Sequence, residues 1–327
     1  MSDWIELDPT YSTTRRVRKV APEVVEAELK AAQKPEDQFE MILFQPEGEG
    51  RKGKGGLRTN GYFKKSSEEK PLITIITVVF NGEKHLEETI LSVINQTYDN
   101  VEYIIIDGGS SDGTLDIVRK YEHAIDYWVS EKDKGVYDAM NKGIDLATGE
   151  WINFMNGGDV FYKDQVINQN LHLFLGNPII VFGKSLTKYG QISSIRYFNF
   201  NIKDKNFYYS KMPNHQAVFL GRKFYKKEKY DIGFEFSADT HYLRRAFHHG
   251  SYVCSEDVIS IFHLGGMSNY FHNWESAKKI YSEERLLSHS LISPFLKTSM
   301  KFILMKLLGK DRYLNLYLHY LRRIKKK

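Results

Sequence analysis

The chain of 327 residues carries a single cysteine, Cys254. One thiol can neither close an internal disulfide nor build a cysteine metal cluster, and such usage suits a reducing compartment. No uncharged apolar run approaches the ~18 residues a membrane-spanning helix needs. The amino terminus, Met1-Ser2-Asp3-Trp4-Ile5-Glu6, lacks the basic segment and apolar stretch of a secretory signal. The expectation is a cytoplasmic chain. Acid is scarce at the other end: from Pro294 to Lys327 the only acidic residue is Asp311, against ten lysines and arginines.

What is present fits a folded globular protein, with 42% hydrophobic and 27% charged residues and room for one large domain with additions. The net charge of +5 is modest, and no nucleic-acid partner is expected. The 21 tyrosines, 20 phenylalanines and 4 tryptophans serve equally as core or as flat surfaces for sugars and bases.

Residues 1–70 read as an extension of unassigned role, with a basic cluster at Arg15-Arg16-Val17-Arg18-Lys19 and a helix from Pro22 to Gln33. Gly48-Glu49-Gly50-Arg51-Lys52-Gly53 matches the dinucleotide fingerprint and nearly a P-loop. Lys54-Gly55-Gly56 cannot open the helix that would take the phosphates, and Gly55 stands where a P-loop needs Ser or Thr. The stretch is read as a mobile basic loop.

From Pro71 the pattern is regular. Leu72–Phe80 is a continuous β-branched run, as in a strand buried on both faces. A helix over 83–95 follows, then strands at 101–106, 125–129 and 151–155, with helices near 115–121 and over 136–147. Such alternation predicts an α/β domain with a largely parallel sheet. Ligands of an open parallel sheet bind beyond the carboxyl ends of its strands. Asp107, Asp133 and Asp159 each follow a strand, and Asn81 follows the first. A lone aspartate there is ordinarily a cap or turn former, as expected of Asp112. Three in succession point to a shared site. With Asn156, these acids offer hard oxygen ligands suited to Mg2+ or Mn2+ rather than zinc. Such an ion stabilises a departing diphosphate.

Four pieces carry a resemblance: Val78-Val79-Phe80-Asn81-Gly82; Asp107-Gly108-Gly109-Ser110-Ser111-Asp112-Gly113-Thr114; Ser130 to Gly143; and Asn156-Gly157-Gly158-Asp159. In order and spacing, residues 71–160 resemble family 2 glycosyltransferases, inverting enzymes of the GT-A fold that use nucleotide sugars. The resemblance implies a mostly parallel twisted sheet with flanking helices, here with a helical C-terminal tail. It implies a donor and metal half at 71–160, an acceptor half at 161–290 and a tail at 291–327. The donor, expected to be a UDP-sugar, would be bound by Val78, Phe80, Asn81, Asp107, Lys132, Asp133, Asn141 and Asn156. Asp159 would hold Mn2+ or Mg2+. Gly158 replaces the acid usual before it, which puts one ribose contact in doubt.

In the second half, Ile179–Gly183 reads as a strand, and His215-Gln216 precedes another on the acceptor side. Phe236–Leu243 starts a helix, where Asp239 is either a cap or, by the resemblance, the general base. His215 and His263 are each read as structural or functional. His263, at the head of a loop resembling one that closes over the site, is a candidate contact to diphosphate or metal. The tail from Pro294 alternates apolar and basic residues. It reads as a helix on an anionic membrane surface or as a helix pair packed on the domain. The expected acceptor is a glycan or lipid-linked glycan of bacterial surface polysaccharide or lipopolysaccharide assembly, met on the inner face of the membrane. A sugar nucleotidyltransferase and a non-catalytic membrane scaffold are the alternatives. The first would need a glycine-rich basic loop where Asn81-Gly82-Glu83-Lys84 stands.

Overall fold

The computed structural model describes residues 4–33, 39, 41–176, 178–196, 212–264, 274–286 and 292–324. Ten strands form the main sheet: β1 Gly53–Gly55, β2 Ile73–Val79, β3 Val101–Asp107, β4 Tyr127–Ser130, β5 Trp151–Phe154, β6 Val160–Phe161, β7 Ile180–Tyr189, β8 Ile192–Arg196, β9 Val218–Gly221 and β10 Tyr252–His263. Their spatial order is β1-β4-β3-β2-β5-β9-β7-β10-β6, with β8 paired to β7. β4, β3, β2 and β5 are parallel neighbours. β9 runs antiparallel between β5 and β7.

All seven residues of β2 are buried, which explains the unbroken apolar run. Side chains of a strand alternate between the sheet faces. Ile76 and Val78 therefore join one core with Met140 and Ile144 of α4 (Val136–Leu146). Ile73, Ile75 and Val79 join the other with Leu86, Ile90 and Val93 of α2 (Leu86–Ile94). Full burial of each such side chain contributes roughly 1.5–3 kcal/mol. Helix α1 (Pro22–Ala31) ends two residues short of its expected span, and α3 (Thr114–Lys120) crosses from β3 to β4. Asp112 accepts the Thr114 N–H at 3.1 Å, forming a turn just before α3 rather than capping it, since Gly113 is the cap residue.

The stretch read as a mobile basic loop is different in the structure. β1 adds an edge strand antiparallel to β4, and Arg51 pairs with Glu131 at 2.6 Å. A Cβ on Gly53 would come within 2.9 Å of the Trp128 indole, so close packing, not a cofactor, accounts for that glycine. Arg58, buried, reaches Glu102 on β3 at 2.6 Å and the carbonyls of Leu43 and Leu146 at 3.0 Å. Lys64 pairs with Asp126 in the interior. Residues before Pro71 thus build part of the same sheet and core.

Helix α5 (Ala238–His249) packs Tyr242, Leu243, Ala246 and Phe247 onto the core that α4 shares. Helices α6 (Trp274–Leu286), α7 (Ile292–Leu308) and α8 (Lys310–Ile324) follow. Ala277, Ile280, Met305, Tyr313 and Leu314 bury against one another, with Tyr189, Phe236 and Phe302 alongside. One side of the tail is therefore packed on the domain. Among the described residues no helix is long and apolar enough to cross a membrane.

Candidate active site

At the carboxyl ends of β2 and β5 lies a cleft of about 840 Å³. A second cavity, of about 620 Å³ and lined by Glu150, Arg222 and Pro178 among others, lies at the opposite edge near the starts of β2 and β5. The first cleft gathers the carboxylates and histidines: Asn156, Asp159, His215, Gln216, Asp239 and His263 line it, with Val78, Phe80 and Asn81.

The Phe80 ring is 65% exposed, a large cost in water unless something stacks on it. Asn81 adopts φ 51°, a left-handed conformation that asparagine tolerates better than most residues. Its N–H donates to the Ser110 hydroxyl at 2.7 Å, and its Oδ1 accepts the Ser111 N–H at 2.8 Å. The loop after β2 is thereby tied to the loop after β3.

Four expected donor contacts fall outside the lining of the cleft. Asp107 is 1% exposed. Its carboxylate accepts the Ser110 N–H at 3.0 Å and the hydroxyls of Ser110 and Ser130. Its described contacts therefore hold the loop, not a base. Asn141 gives both ends of its amide to Tyr230, donating to the carbonyl at 2.9 Å and accepting the N–H at 2.8 Å. Asp133 accepts the Gly135 N–H at 2.8 Å, and burial pushes its carboxyl above the usual range. Lys132 is exposed at the same edge.

Nor do the three post-strand acids form one cluster. Adjacent strands lie about 4.8 Å apart, so the ends of β4 and β5, three intervals apart, are separated by roughly 14 Å. The order β4-β3-β2-β5 therefore puts Asp133 and Asp159 on different sides. Sequence order gave no hint of that separation.

The Asp159 side is built on a tight turn. Gly158 has φ +101°, a conformation that L side chains rarely adopt. The missing acid thus coincides with a backbone shape that disfavours one. Thr89 of α2 locks the turn, accepting the Gly158 N–H at 2.9 Å and donating to the Asp159 carbonyl at 2.8 Å. The Asp159 carboxylate accepts from Gln216 Nε2 at 2.5 Å and from the His263 N–H at 3.3 Å. Burial pushes its carboxyl up to about 6, against the lowering effect of the Gln216 bond. His263 Nδ1 donates to the Gly158 carbonyl at 2.7 Å, so Nε2 is the ring nitrogen left for a ligand.

As a seat for a hard divalent ion these groups offer few protein ligands. Among the described residues no three His, Cys, Asp or Glu side chains converge on one point. One buried oxygen, Asn156 Oδ1, has no partner. That orphan, the Asp159 carboxylate and His263 Nε2 make a sparse donor set. It suits an ion that takes its other ligands from phosphates and water, as Mg2+ habitually does.

Opposite this corner, Asp239 sits in the first turn of α5, where the helix dipole favours a carboxylate. Its Oδ1 accepts the Thr240 N–H at 2.7 Å. His215 stands between the two corners, Nε2 to Asn156 Nδ2 at 3.1 Å and Nδ1 to Asp239 Oδ2 at 3.5 Å. Tyr137, which sequence reasoning passed over, also lines the cleft, and burial holds its hydroxyl well above the ordinary range. Glu235 and Phe236 also line the cleft. They are held by Glu283 of α6, whose carboxylate accepts their N–H groups at 2.7 and 3.0 Å. The position of Tyr137 in the Ser130–Gly143 piece was an available signal. Nothing local marked Glu283. The residues after Leu264 that were read as a closing loop lie outside the described residues through 273.

A parallel sheet with a nucleotide-sized cleft at its carboxyl edge, carboxylates on two of its walls and a helix start opposite, is the arrangement of a GT-A glycosyltransferase. The chain belongs to glycosyl transferase family 2, whose family model matches residues 74–249. An uncharacterized glycosyltransferase of Mycobacterium tuberculosis is 32% identical over 181 residues, 54% of this chain and 69% of its own. A PGL/p-HBAD biosynthesis glycosyltransferase of Mycobacterium bovis is 28% identical over 228 residues, 66% of this chain and 86% of its own. Among solved structures, S. aureus TarS residues 1–349 with UDP-GlcNAc superposes with TM-score 0.55 at 16% identity, covering 66% of this chain and 65% of that one. The mannosyltransferase PcManGT of Pyrobaculum calidifontis, with GDP-Man and Mn2+, gives 0.50 at 16% identity, covering 71% and 69%. At that identity the likeness concerns the fold.

Proposed function

We propose that this glycosyltransferase moves a sugar from a nucleotide-sugar donor, a UDP-sugar first, to a glycan or lipid-linked glycan by one inverting displacement assisted by Mn2+ or Mg2+. The observation that carries the reading is the meeting of Asp159 and Asp239 in one cleft, bridged by Asn156 and His215. The UDP-GlcNAc complex of TarS and the GDP-Man and Mn2+ complex of PcManGT support the donor class and the ion.

In this reading Asp239 accepts the proton of the acceptor hydroxyl. The acceptor oxygen bonds to the anomeric carbon as that carbon's bond to the diphosphate oxygen breaks, and the electron pair leaves with the diphosphate. Attack comes from the face opposite the leaving group, so the configuration inverts. A bound cation neutralises the charge growing on the diphosphate. Asp159 and His263, with Asn156, would hold it. Phe80 offers the face on which a base stacks, and Asn81 with the Ser110–Ser111 loop shapes its pocket. Asp107 orders that loop from behind. His215 orients the base carboxylate, and Gln216 orients Asp159. The acceptor belongs to surface polysaccharide or lipopolysaccharide assembly, and the basic apolar tail supports peripheral contact with the inner face of an anionic membrane.

The test is nucleotide release from a panel of nucleotide sugars with added Mn2+, alongside Asp159→Asn and Asp239→Asn. Metal-stimulated release from one donor, lost in the first variant, supports the reading. Transfer at the parent rate in both variants sinks the site assignment.

A further inference from the structure

The tail that packs on the domain leaves one side of α7 uncovered. Met300, Ile303, Leu304 and Leu307 are 61, 54, 38 and 76% exposed. Their spacing of i, i+3, i+4 and i+7 places them in a single stripe along one helix face. Met305, between them in sequence, is turned the other way and buried with Tyr313 and Leu314 of α8. Leu316 of α8, 55% exposed, adds to the uncovered apolar surface. Single exposed apolar residues are ordinary, but a contiguous stripe marks an interaction surface.

The charge around the stripe says what covers it. Lys306 and Arg312 are exposed, and from Pro294 to Lys327 the sequence carries ten lysines and arginines against one acid. The one acid of the tail, Asp311, accepts the Tyr189 hydroxyl. Apolar side chains on helices rich in lysine and arginine complement an anionic lipid headgroup layer with acyl chains beneath it. A protein partner would need an acidic rim and an apolar centre, which a bilayer supplies without specific geometry.

The same helices also build one rim of the cleft. Glu283 of α6 holds the backbone of Glu235 and Phe236, and Tyr189 is held by Asp311 at the start of α8. All three held residues line the cleft. We propose that the α7 stripe docks on an anionic bilayer and thereby holds the cleft, whose rim at Tyr189, Glu235 and Phe236 is packed on the other side of the same helices, close to the lipid surface where a lipid-linked acceptor resides. This rests on the glycosyltransferase reading above. It goes further in naming the docking face.

The test uses the full chain and vesicles of phosphatidylcholine with or without phosphatidylglycerol, at low and high salt. The parent should float with the anionic vesicles and be released by salt. Ile303→Asp with Leu307→Asp, at exposed positions, should weaken flotation on the order of tenfold or more. The melting temperature and metal-stimulated nucleotide release without acceptor should stay at parent values. A parent that ignores anionic vesicles, or a double variant that floats as well as the parent, overturns docking by this stripe. So does a parent that sediments as a dimer while the double variant is monomeric, since a second copy then covers the stripe. Loss of nucleotide release in the parent itself, with flotation intact, counts against the catalytic reading and leaves docking standing.

Discussion

The two walls of the cleft are made differently. The donor wall is carried on the ends of neighbouring parallel strands, and the loops that follow them are pinned to one another by bonds such as Asn81 to Ser110 and Ser111. The acceptor wall is assembled from remote pieces: the start of α5, the turn at His215, and a rim held by Glu283, 48 residues from Glu235. A parallel sheet fixes the positions of its strand ends by backbone pairing, and Thr89, Gln216 and His263 then fix the turn that carries Asp159. Asp239, the proposed base, is instead positioned by the start of its helix and by His215, whose Nδ1 lies 3.5 Å from its carboxylate. Mutations should therefore separate the walls: changes on the acceptor wall lower transfer, and changes on the donor wall lower nucleotide and metal affinity.

The largest expected effect is on the acceptor wall. Asp239→Asn should lower the turnover number by about 10²–10⁴, the usual contribution of a positioned general base, while UDP affinity stays at the parent value. Steady-state transfer and UDP titration together check this.

Next comes the support beneath the donor wall. Removing one partner of a buried ion pair costs about 3–5 kcal/mol, so Glu102→Ala, which strands Arg58, should lower denaturant stability by that order. Burial works to raise the Glu102 carboxyl, but Arg58 and the bonds from Thr148 and Thr74 overcome it and hold it at about 2, below its ordinary 4.5. For a depressed carboxyl the stabilisation is complete above 4.5 and fades as the pH falls towards 2. Parent unfolding followed across that window should show the loss, and the variant should lack this component.

A smaller change tests the metal turn. Gly158→Ala places a Cβ at φ +101°, which costs roughly 1–3 kcal/mol of strain. It should weaken Mn2+-dependent nucleotide binding through displacement of Asp159, although a Cβ there would meet no atom nearer than His85 Cβ at 3.6 Å. Calorimetry of UDP with and without Mn2+ reads it. The smallest effect is at the rim: Tyr189→Phe loses one hydrogen bond to Asp311, about 0.5–1.5 kcal/mol. A slightly lower melting temperature with unchanged nucleotide release is expected.

The sheet and its loops were legible in the sequence because strand and helix alternate on a short period, and each element declares its own face. Asp159 and Asp239 were readable for the same reason: one ends a strand turn and the other begins a helix. The rest was hidden by distance along the chain. Nothing near Arg58 announces Glu102, 44 residues away, and nothing near Glu283 announces Phe236. Asp107 and Asn141 lie in the right motifs, but their hydrogen bonds point inward, and only the folded backbone reveals which partners saturate them. The tail left two readings open because its apolar residues occupy two helix faces. The structure buries one face and exposes the other.

The central division of labour proposed for the cleft is between Asp159 and Asp239. It is measured by UDP binding with and without Mn2+ in the parent, Asp159→Asn and Asp239→Asn. The prediction is that Asp159→Asn loses the metal-dependent part of the affinity, while Asp239→Asn keeps all of it and yet fails to transfer. Metal-dependent affinity that survives in Asp159→Asn, or disappears in Asp239→Asn, would contradict it.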